Sequence, residues 1–484
     1  MKLNGWKIGV VFLLYSTIGI ACSAQTFSNL FTFDGTDGAT PVGTLTQDID
    51  GNFYGATIYG GTGKGGGEGT AFKVTSTGSF STIYNFCNKA NCVDGNVPFW
   101  GVVLGTDGSL HGTTSNGGAN TVGGTVYKVT SAGKLTVLYS FCSQPNCTDG
   151  STPEGGLIEG IDGNYYGTTR NGGNGPLCLS RGDCGNVFKS TPSGTTATIY
   201  NFCSQPNCTD GILPTAPLVQ GTDGNFYGST TELNGIPATI FKLTPSGTLA
   251  TLYTFPVTWN GVSALVEGTD GNFYGTITSG GDYGYGMAFK MTSGGTLTPL
   301  YSFCANFGCT DGSSPQGLEP GTDANFYGTT SEGGENASGT AGGTIFSLSP
   351  TGTYAVLYNF CSQSNCGDGS NPDAPPIQGT NGNFYGMTSG GNLNKGTIYS
   401  LATGLGPFVK FLPAAGKVGA EVGILGNSLT SSTAVTFNGT SAKFSVISST
   451  LILAHVPTGA KSGLINVTLP SGTLSSNVPF HVIP

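Results

Sequence analysis

The chain has 484 residues, 83 of them glycine, with 9% charged residues and a net charge of −9. That charge excludes a nucleic-acid binder, which needs a cationic surface against phosphates. The glycines follow no three-residue period, which excludes collagen, and 37% hydrophobic with 11% aromatic content excludes a disordered tail.

Few charges among many Gly, Thr, Ser and aromatic residues point to an all-β chain with tight turns. Lys2 and Lys7 flank the apolar run Ile8 to Ala21, which has signal-peptide length and is short for a membrane span. Cys22-Ser23-Ala24 then offers small residues at the −3 and −1 positions of a cleavage site, with Gln25 as the new terminus. The rival reading lipidates Cys22, but the preceding Gly19-Ile20-Ala21 lacks the leucine usual three residues before such a cysteine. Residues 1–24 are therefore expected to be a signal peptide. No second apolar stretch of 18 residues follows, so no membrane span is expected.

A block built on G-T-D-G-N-F-Y-G-T-T then recurs seven times, with its Asp or Asn at 50, 107, 162, 223, 270, 323 and 381, spaced 47 to 61 residues apart. Each unit carries four strand signals. Strand A is the apolar run before the Asp, such as Gly156 to Glu159. Asp-Gly is expected to form a two-residue hairpin turn with positive φ at both positions. Strand B is N-F-Y-G-T-T, strand C is an F-K-x-T segment such as Tyr127 to Val129, and strand D is L-x-x-L-Y-x-F, such as Leu135 to Phe141.

Four short antiparallel strands per repeat of about 50 residues mark a β-propeller blade. Seven A-B-C sets exist, but only six D strands follow them. The segment Thr26 to Phe33 resembles the missing D strand and precedes the first A. The expected fold is thus all-β: a seven-bladed propeller over residues 25–403, closed by its N-terminal strand, which removes an open sheet edge. Phe and Tyr of strand B point to opposite faces, and both can be buried in a blade packed on two sides. A row of sugar-stacking platforms is the other reading. The repeated Asp is read as closing its turn through local backbone N–H groups.

Of the 13 cysteines, 12 remain after Cys22. Ten form C-x4-C pairs (Cys87/Cys92, Cys142/Cys147, Cys203/Cys208, Cys304/Cys309, Cys361/Cys366), and Cys178/Cys184 are also near neighbours. An even number in close pairs in an exported chain reads as six local disulfides. A zinc reading would want two close pairs or histidine partners, and only His111, His455 and His481 exist.

The repeat G-T-D-G-N-F-Y-G-T-T … G-T-x-F-K-x-T-x-x-G-x-L-x-x-L-Y-x-F, followed by D-G-x-x-P as at Asp149 to Pro153, resembles the GloVer (Gloeo_Verruco) tandem repeat of exported bacterial proteins. The resemblance covers roughly residues 26–402. It implies no established activity and transfers no catalytic residue. After the hinge-like Gly404-Leu405-Gly406-Pro407, residues 407–484 resemble an IPT/TIG immunoglobulin-like domain. The P-x-x-G-x-x-G start, the V-x-F-N-G centre at Val435 to Gly439 and the V-P-x-G-A-x-S-G-x-x-x-V end at Val456 to Val467 carry that likeness. It implies a small β-sandwich acting as a spacer or binding module.

With strand A innermost, the D-to-A and B-to-C loops share one rim, and departures from the repeat there are the candidate ligand-binding positions. These are Trp100, His111, Arg170, Arg181, Glu232, Trp259, Tyr283 and Glu332. The expected function is non-catalytic binding of a glycan or surface protein, without metal or cofactor. The alternative is a polysaccharide lyase or glycoside hydrolase, using Glu232 with Glu332, or Arg170 with Tyr283 and His111. No nucleophile elbow, phosphate loop or metal motif is present in the sequence.

Overall fold

The computed structural model describes residues 25–120, 122–175, 184–335 and 342–483. The signal-peptide assignment, Cys178 and Arg181 lie outside the described residues. β1 (Thr26–Thr32) precedes a meander of β2 (Ala39–Gln47), β3 (Phe53–Tyr59), β4 (Thr70–Val74) and β5 (Phe80–Asn85), which pair in that order as the first four-stranded antiparallel sheet. Five further A-B-C-D sheets repeat this order over 103–140, 155–201, 219–254, 266–302 and 313–359. The seventh sheet takes its A, B and C strands from 377–402 and its fourth from β1, which pairs antiparallel with Thr397–Ala402.

Strand B shows why the pattern folds this way. Its Phe and Tyr point to opposite sides, and both are buried in every sheet that carries them, as at Phe53/Tyr54 and Phe226/Tyr227. Four of the tyrosines meet the aromatic of the next sheet, Tyr166 on Phe226, Tyr227 on Phe273, Tyr274 on Phe326 and Tyr327 on Phe384, with centroids 3.9–4.2 Å apart, while Tyr54 packs with Leu110. Tyr385 of the seventh sheet meets Phe53 of the first at 4.0 Å in the same way. In β1, Phe27 stacks on Tyr358 of the sixth sheet and Phe31 on Phe80 of the first, both at 3.9 Å. β1 thus occupies the position of a D strand between two other D strands.

The Asp-Gly turn differs from expectation. Gly51 N–H donates to Asp48 O (2.9 Å) and Asp48 N–H to Asn52 O (3.0 Å), so the loop has three residues, not two. Only the glycine takes positive φ, 79° at Gly51, while Asp50 stays outside the left-handed region. This is a type I turn followed by a bulge, and the freed Asp side chain accepts from Asn52 N–H at 3.0 Å.

A second contact joins the sheets at the opposite end of the strands. In D-G-x-x-P, the residue before proline has positive φ: Thr40, Val97, Thr152, Leu213, Ser314 and Asn371 lie between 53° and 56°. Its N–H then reaches a carbonyl of the preceding sheet (Lys395, Glu68, Gly123, Cys184, Tyr285 and Gly342) at 2.8–3.0 Å. The proline ring seats on a glycine of that sheet, as Pro153 on Gly124 and Pro41 on Gly396, where a Cβ would strike both ring and backbone. The seam between the seventh and first sheets carries the same clasp as the internal ones. At the seam between the fourth and fifth sheets it is missing; there Ser229 Oγ donates to Val262 O (3.2 Å).

Residues 410–483 pair only among themselves, in two four-stranded sheets and one parallel pair around Val422, Ile424, Val435, Phe437, Ile452 and Val467. His455 and His481 are strand residues of this sandwich. The sandwich rests against A–B turns of the repeat sheets. Phe408 N–H donates to Thr380 O (3.0 Å), Asn427 Nδ2 to Thr380 Oγ1 (2.8 Å) and Thr450 Oγ1 to Ile49 O (2.8 Å).

If the first–seventh seam is as tight in solution, Gly396→Ala and the internal Gly124→Ala should destabilise equally, each by about 2–4 kcal/mol. Calorimetric melting of both variants checks this. A loss below about 0.5 kcal/mol, the level of neutral surface changes, for Gly396→Ala alone would mean that the seam opens.

Candidate functional site

Each sheet presents two ends. At the A–B turn end, the turn Asp gathers donors from three residues. Asp223 Oδ2 accepts from Tyr227 Oη (2.9 Å) and Lys242 Nζ (2.7 Å), while its Oδ1 accepts from Asn225 N–H (3.0 Å). Asp50, Asp162 and Asp270 do the same with Tyr54/Lys73, Tyr166/Lys189 and Tyr274/Lys290. The ammonium also lies 5.5–5.7 Å from the tyrosine ring centroid in these four sheets. Burial alone would raise these carboxyls. The lysine, asparagine and tyrosine donors overcome it and hold Asp162 and Asp223 at about 2. The sequence reading saw the turn but missed the lysine and tyrosine; the tyrosine's constant offset of four from the Asp and the lysine recurring in strand C were the available signal.

His111 replaces the tyrosine in the second sheet. It is fully buried, with Nε2 3.0 Å from Asp107 and its ring stacked at 4.0 Å on Tyr165. It sits at the A–B turn end and inside the sheet stack, so the expectation that it lines a ligand site on the loop rim is corrected. The Asp there needs a partner, and the imidazole supplies one. Burial pushes the His111 pKa down, against the pull of Asp107.

At the other end, D-to-A and B-to-C loops meet. Bridges Asn96/Asn116, Ser151/Asn171 and Ser370/Gly390 tie one to the other. Five disulfides, Cys87–Cys92, Cys142–Cys147, Cys203–Cys208, Cys304–Cys309 and Cys361–Cys366, brace this rim. Cys184 is disulfide-bonded as well. Behind each of these five loops lies the aspartate of D-G-x-x-P, to which the sequence reading gave no role. Asp94 accepts from Tyr84 Oη (2.6 Å) and from Asn88 and Lys89 N–H (3.0 and 3.2 Å). Asp149, Asp210, Asp311 and Asp368 repeat this with a tyrosine ten residues upstream. That fixed Tyr-to-Asp spacing was legible, since it recurs wherever C-x4-C does.

Two candidates, Glu232 and Trp259, lie beside the seam that lacks the proline clasp. Glu232 N–H donates to Asn260 Oδ1 (3.3 Å), next to Trp259. The Trp259 indole covers Gly280, three residues before Tyr283, and packs 6.3 Å from Phe255. This loop has no cysteine; the half-buried Trp259 fills the place of a disulfide. Tyr283 and Tyr285, on the same loop as Gly280, are 52% and 50% exposed. Glu232 Oε1 accepts from Gly235 N–H (3.2 Å), a local turn contact.

The other candidates lie elsewhere. Trp100 stands two residues after its clasp proline, where the other sheets have Gly43, Gly155, Ala216, Gly317 and Ala374. Its indole lies over Gly156 of the third sheet. Nearby, Arg170 Nη1 is 3.2 Å from Glu154 Oε1, and burial of that carboxyl pushes its pKa up against the guanidinium. Glu332 ends strand B of the sixth sheet, exposed. It and Glu232 belong to sheets separated by the fifth, and His111 lies at the opposite strand end from Arg170 and Tyr283, so neither enzymatic constellation is assembled. Among the described residues no group of three His, Cys, Asp or Glu could hold a metal.

Sheets of this order, with loops and disulfides gathered at one end and a sandwich module appended, define a β-propeller repeat protein. The chain belongs to the Gloeobacter/Verrucomicrobia repeat family, matched over residues 63–264 and 260–442, and residues 408–482 match the IPT/TIG domain. The two matches overlap at 408–442, where strand pairing assigns the residues to the sandwich. No curated protein matches the sequence. Among solved structures, the extracellular domain of BT4673 from B. thetaiotaomicron is similar at 11% identity and TM-score 0.48, over 96% of this chain. The chain spans 59% of that protein's length. Hydrazine synthase of Kuenenia stuttgartiensis is similar at 12% identity and TM-score 0.49, over 76% of this chain and 97% of that one.

Lowered carboxyl values give stability that is full above the unfolded value of 3.8 and lost as pH falls towards about 2. His111, held neutral by burial, adds an earlier loss that begins as pH falls below 6.5. Melting temperature followed from pH 8 to pH 2, roughly the span over which these groups titrate, should therefore fall in two stages. His111→Tyr, which restores the tyrosine of the other sheets, should remove the first stage and leave the second.

Proposed function

We propose that the seven sheets close into a seven-bladed propeller and that the protein is an exported, non-catalytic binder of glycans at its loop-rich rim. In this reading residues 1–24 are the signal peptide, 25–403 the propeller and 407–484 an immunoglobulin-like spacer or adhesion module. The observation that carries the binding role is the fourth–fifth seam. The repeat elsewhere seals each seam with a proline, and five of the six other seams also carry a disulfide in the same loop. Here neither is present; Glu232 and Trp259 lie beside the gap, and Tyr283 and Tyr285 stand on the B-to-C loop of the fifth sheet, which Trp259 covers at Gly280. Two half-exposed phenol rings on the loop that the indole covers offer apolar faces and polar edges, the combination that sugar rings match. Trp100 and Arg170 offer a second such place over the third sheet, and Glu332 and Arg181 belong to the same set of candidates. The disulfides agree with an oxidising compartment.

A glycan array, followed by an assay for new reducing ends, tests this. Binding without turnover is expected, and the double variant Tyr283→Ala, Tyr285→Ala should weaken it by about tenfold, as loss of exposed aromatic anchors does. Its melting temperature should not move, because both side chains are exposed. Release of reducing ends that Glu232→Gln abolishes would overturn the non-catalytic reading. Capture of a surface protein with no glycan bound would replace the ligand class.

A further inference from the structure

A cavity of interest lies at the opposite end of the sheets. It measures about 930 Å³ and is walled by A–B turns of the repeat sheets on one side and by the sandwich module on the other. That volume is within the range of ligand pockets. Four carboxylates line it: Glu159, Glu267, Asp270 and Glu319. Three are fully engaged by the fold. Glu159 accepts from Thr106 Oγ1 (2.7 Å) and N–H (3.2 Å), and Glu267 from Thr222 Oγ1 (2.8 Å) and N–H (2.9 Å). Asp270 is held by Lys290, Asn272 and Tyr274.

Glu319 is different. It accepts one long bond, from Gln378 N–H at 3.4 Å. Its neighbour Pro320 stands where Gln47, Glu159, Gln220, Glu267 and Gln378 clip an adjacent turn, so the fifth–sixth seam lacks this clip. Across the cavity, the sandwich contributes Lys410, whose ammonium lies 5.8 Å from the Phe408 ring centroid. No ion pair or hydrogen bond joins Lys410 to Glu319, yet each feels the other's charge. Burial pushes Glu319 up and Lys410 down, with the opposite charge pulling each back. A carboxylate and an ammonium thus face one space, each with bonding capacity to spare.

The chemistry selects the occupant. An anion on Lys410 would meet four carboxylates. A cation on Glu319 would meet Lys410. A hydroxyl donates and accepts at once, so neighbouring hydroxyls satisfy Glu319 and Lys410 without adding charge. Phe411 and Pro479 in the same wall supply apolar surface for the C–H face of a ring. The geometry points to a second binding site, between the A–B turns and the sandwich module, for a neutral hydroxyl-rich ligand, a short oligosaccharide. It uses none of the rim residues and stands or falls apart from the rim.

Titration calorimetry of the full chain with cellotriose, maltotriose and N,N′,N″-triacetylchitotriose, and with spermidine and L-lysine for contrast, tests the assignment. At least one neutral trisaccharide should bind, and Glu319→Gln and Lys410→Met should each weaken it about tenfold or more, as loss of a charged hydrogen bond does. Val478→Trp, at the exposed lip of the cavity, should block it while leaving the melting temperature unchanged. The rim variant Tyr283→Ala, Tyr285→Ala should bind the trisaccharide as the parent does. The proposal is overturned if no trisaccharide binds or if only spermidine or L-lysine binds. It is equally overturned if trisaccharide binding survives Val478→Trp or is lost in the rim variant instead.

Discussion

The contact on which the rest depends is a backbone one. In six sheets the residue before a proline is turned to positive φ so that its N–H can meet a carbonyl of the sheet before it. Val97, Thr40 and Thr152 are β-branched, and such residues resist that region; the conformation costs about 1–3 kcal/mol and persists only where its surroundings hold it. What holds it is the proline seated on a positive-φ glycine, a fit that any Cβ would break. The glycine richness of the chain is partly a consequence of this docking.

That constraint also explains how the rim is divided. Where the clasp and its disulfide-braced loop are present, loop backbone is committed to holding sheets together, with a buried aspartate such as Asp94 or Asp210 fastening the loop from behind. Where it is missing, the Asn260 side chain meets the seam by accepting from Glu232 N–H, and Trp259 packs beside it. At the other end a gentler system operates. Partly exposed lysine–aspartate pairs are each worth little, and their larger effect is to fix the turn and cover the tyrosine ring. The sandwich module rests on these turns, and the cavity lies where the row of Gln and Glu clips is interrupted by Pro320.

How much was legible varies with the range of the interaction. The four strands per repeat, the buried Phe-Tyr pair and the pairing of Thr26–Thr32 with Thr397–Ala402 follow from alternation and from counting strands. The two-residue turn was misread because Asp-Gly fits two hairpin types, and only the bond from Gly51 N–H to Asp48 O distinguishes them. His111 looked like a surface departure from the repeat. Its burial depends on Tyr165 of the next sheet, which a single repeat cannot reveal. Trp100 likewise reads as free until Gly156 is seen beneath it.

The sequence by itself determined the elements: a period of about 50 residues, the side-chain alternation and the paired cysteines are local properties, and local chemistry sets them. Tertiary structure alone decided which polar groups are already bonded and which are not. Glu159, Glu267 and Glu319 look alike along the chain, yet two are held by threonines of an adjacent sheet and the third faces Lys410 across a cavity. That difference is made by residues far apart in the chain, because a carboxylate's free bonding capacity is fixed by whatever the fold places opposite it.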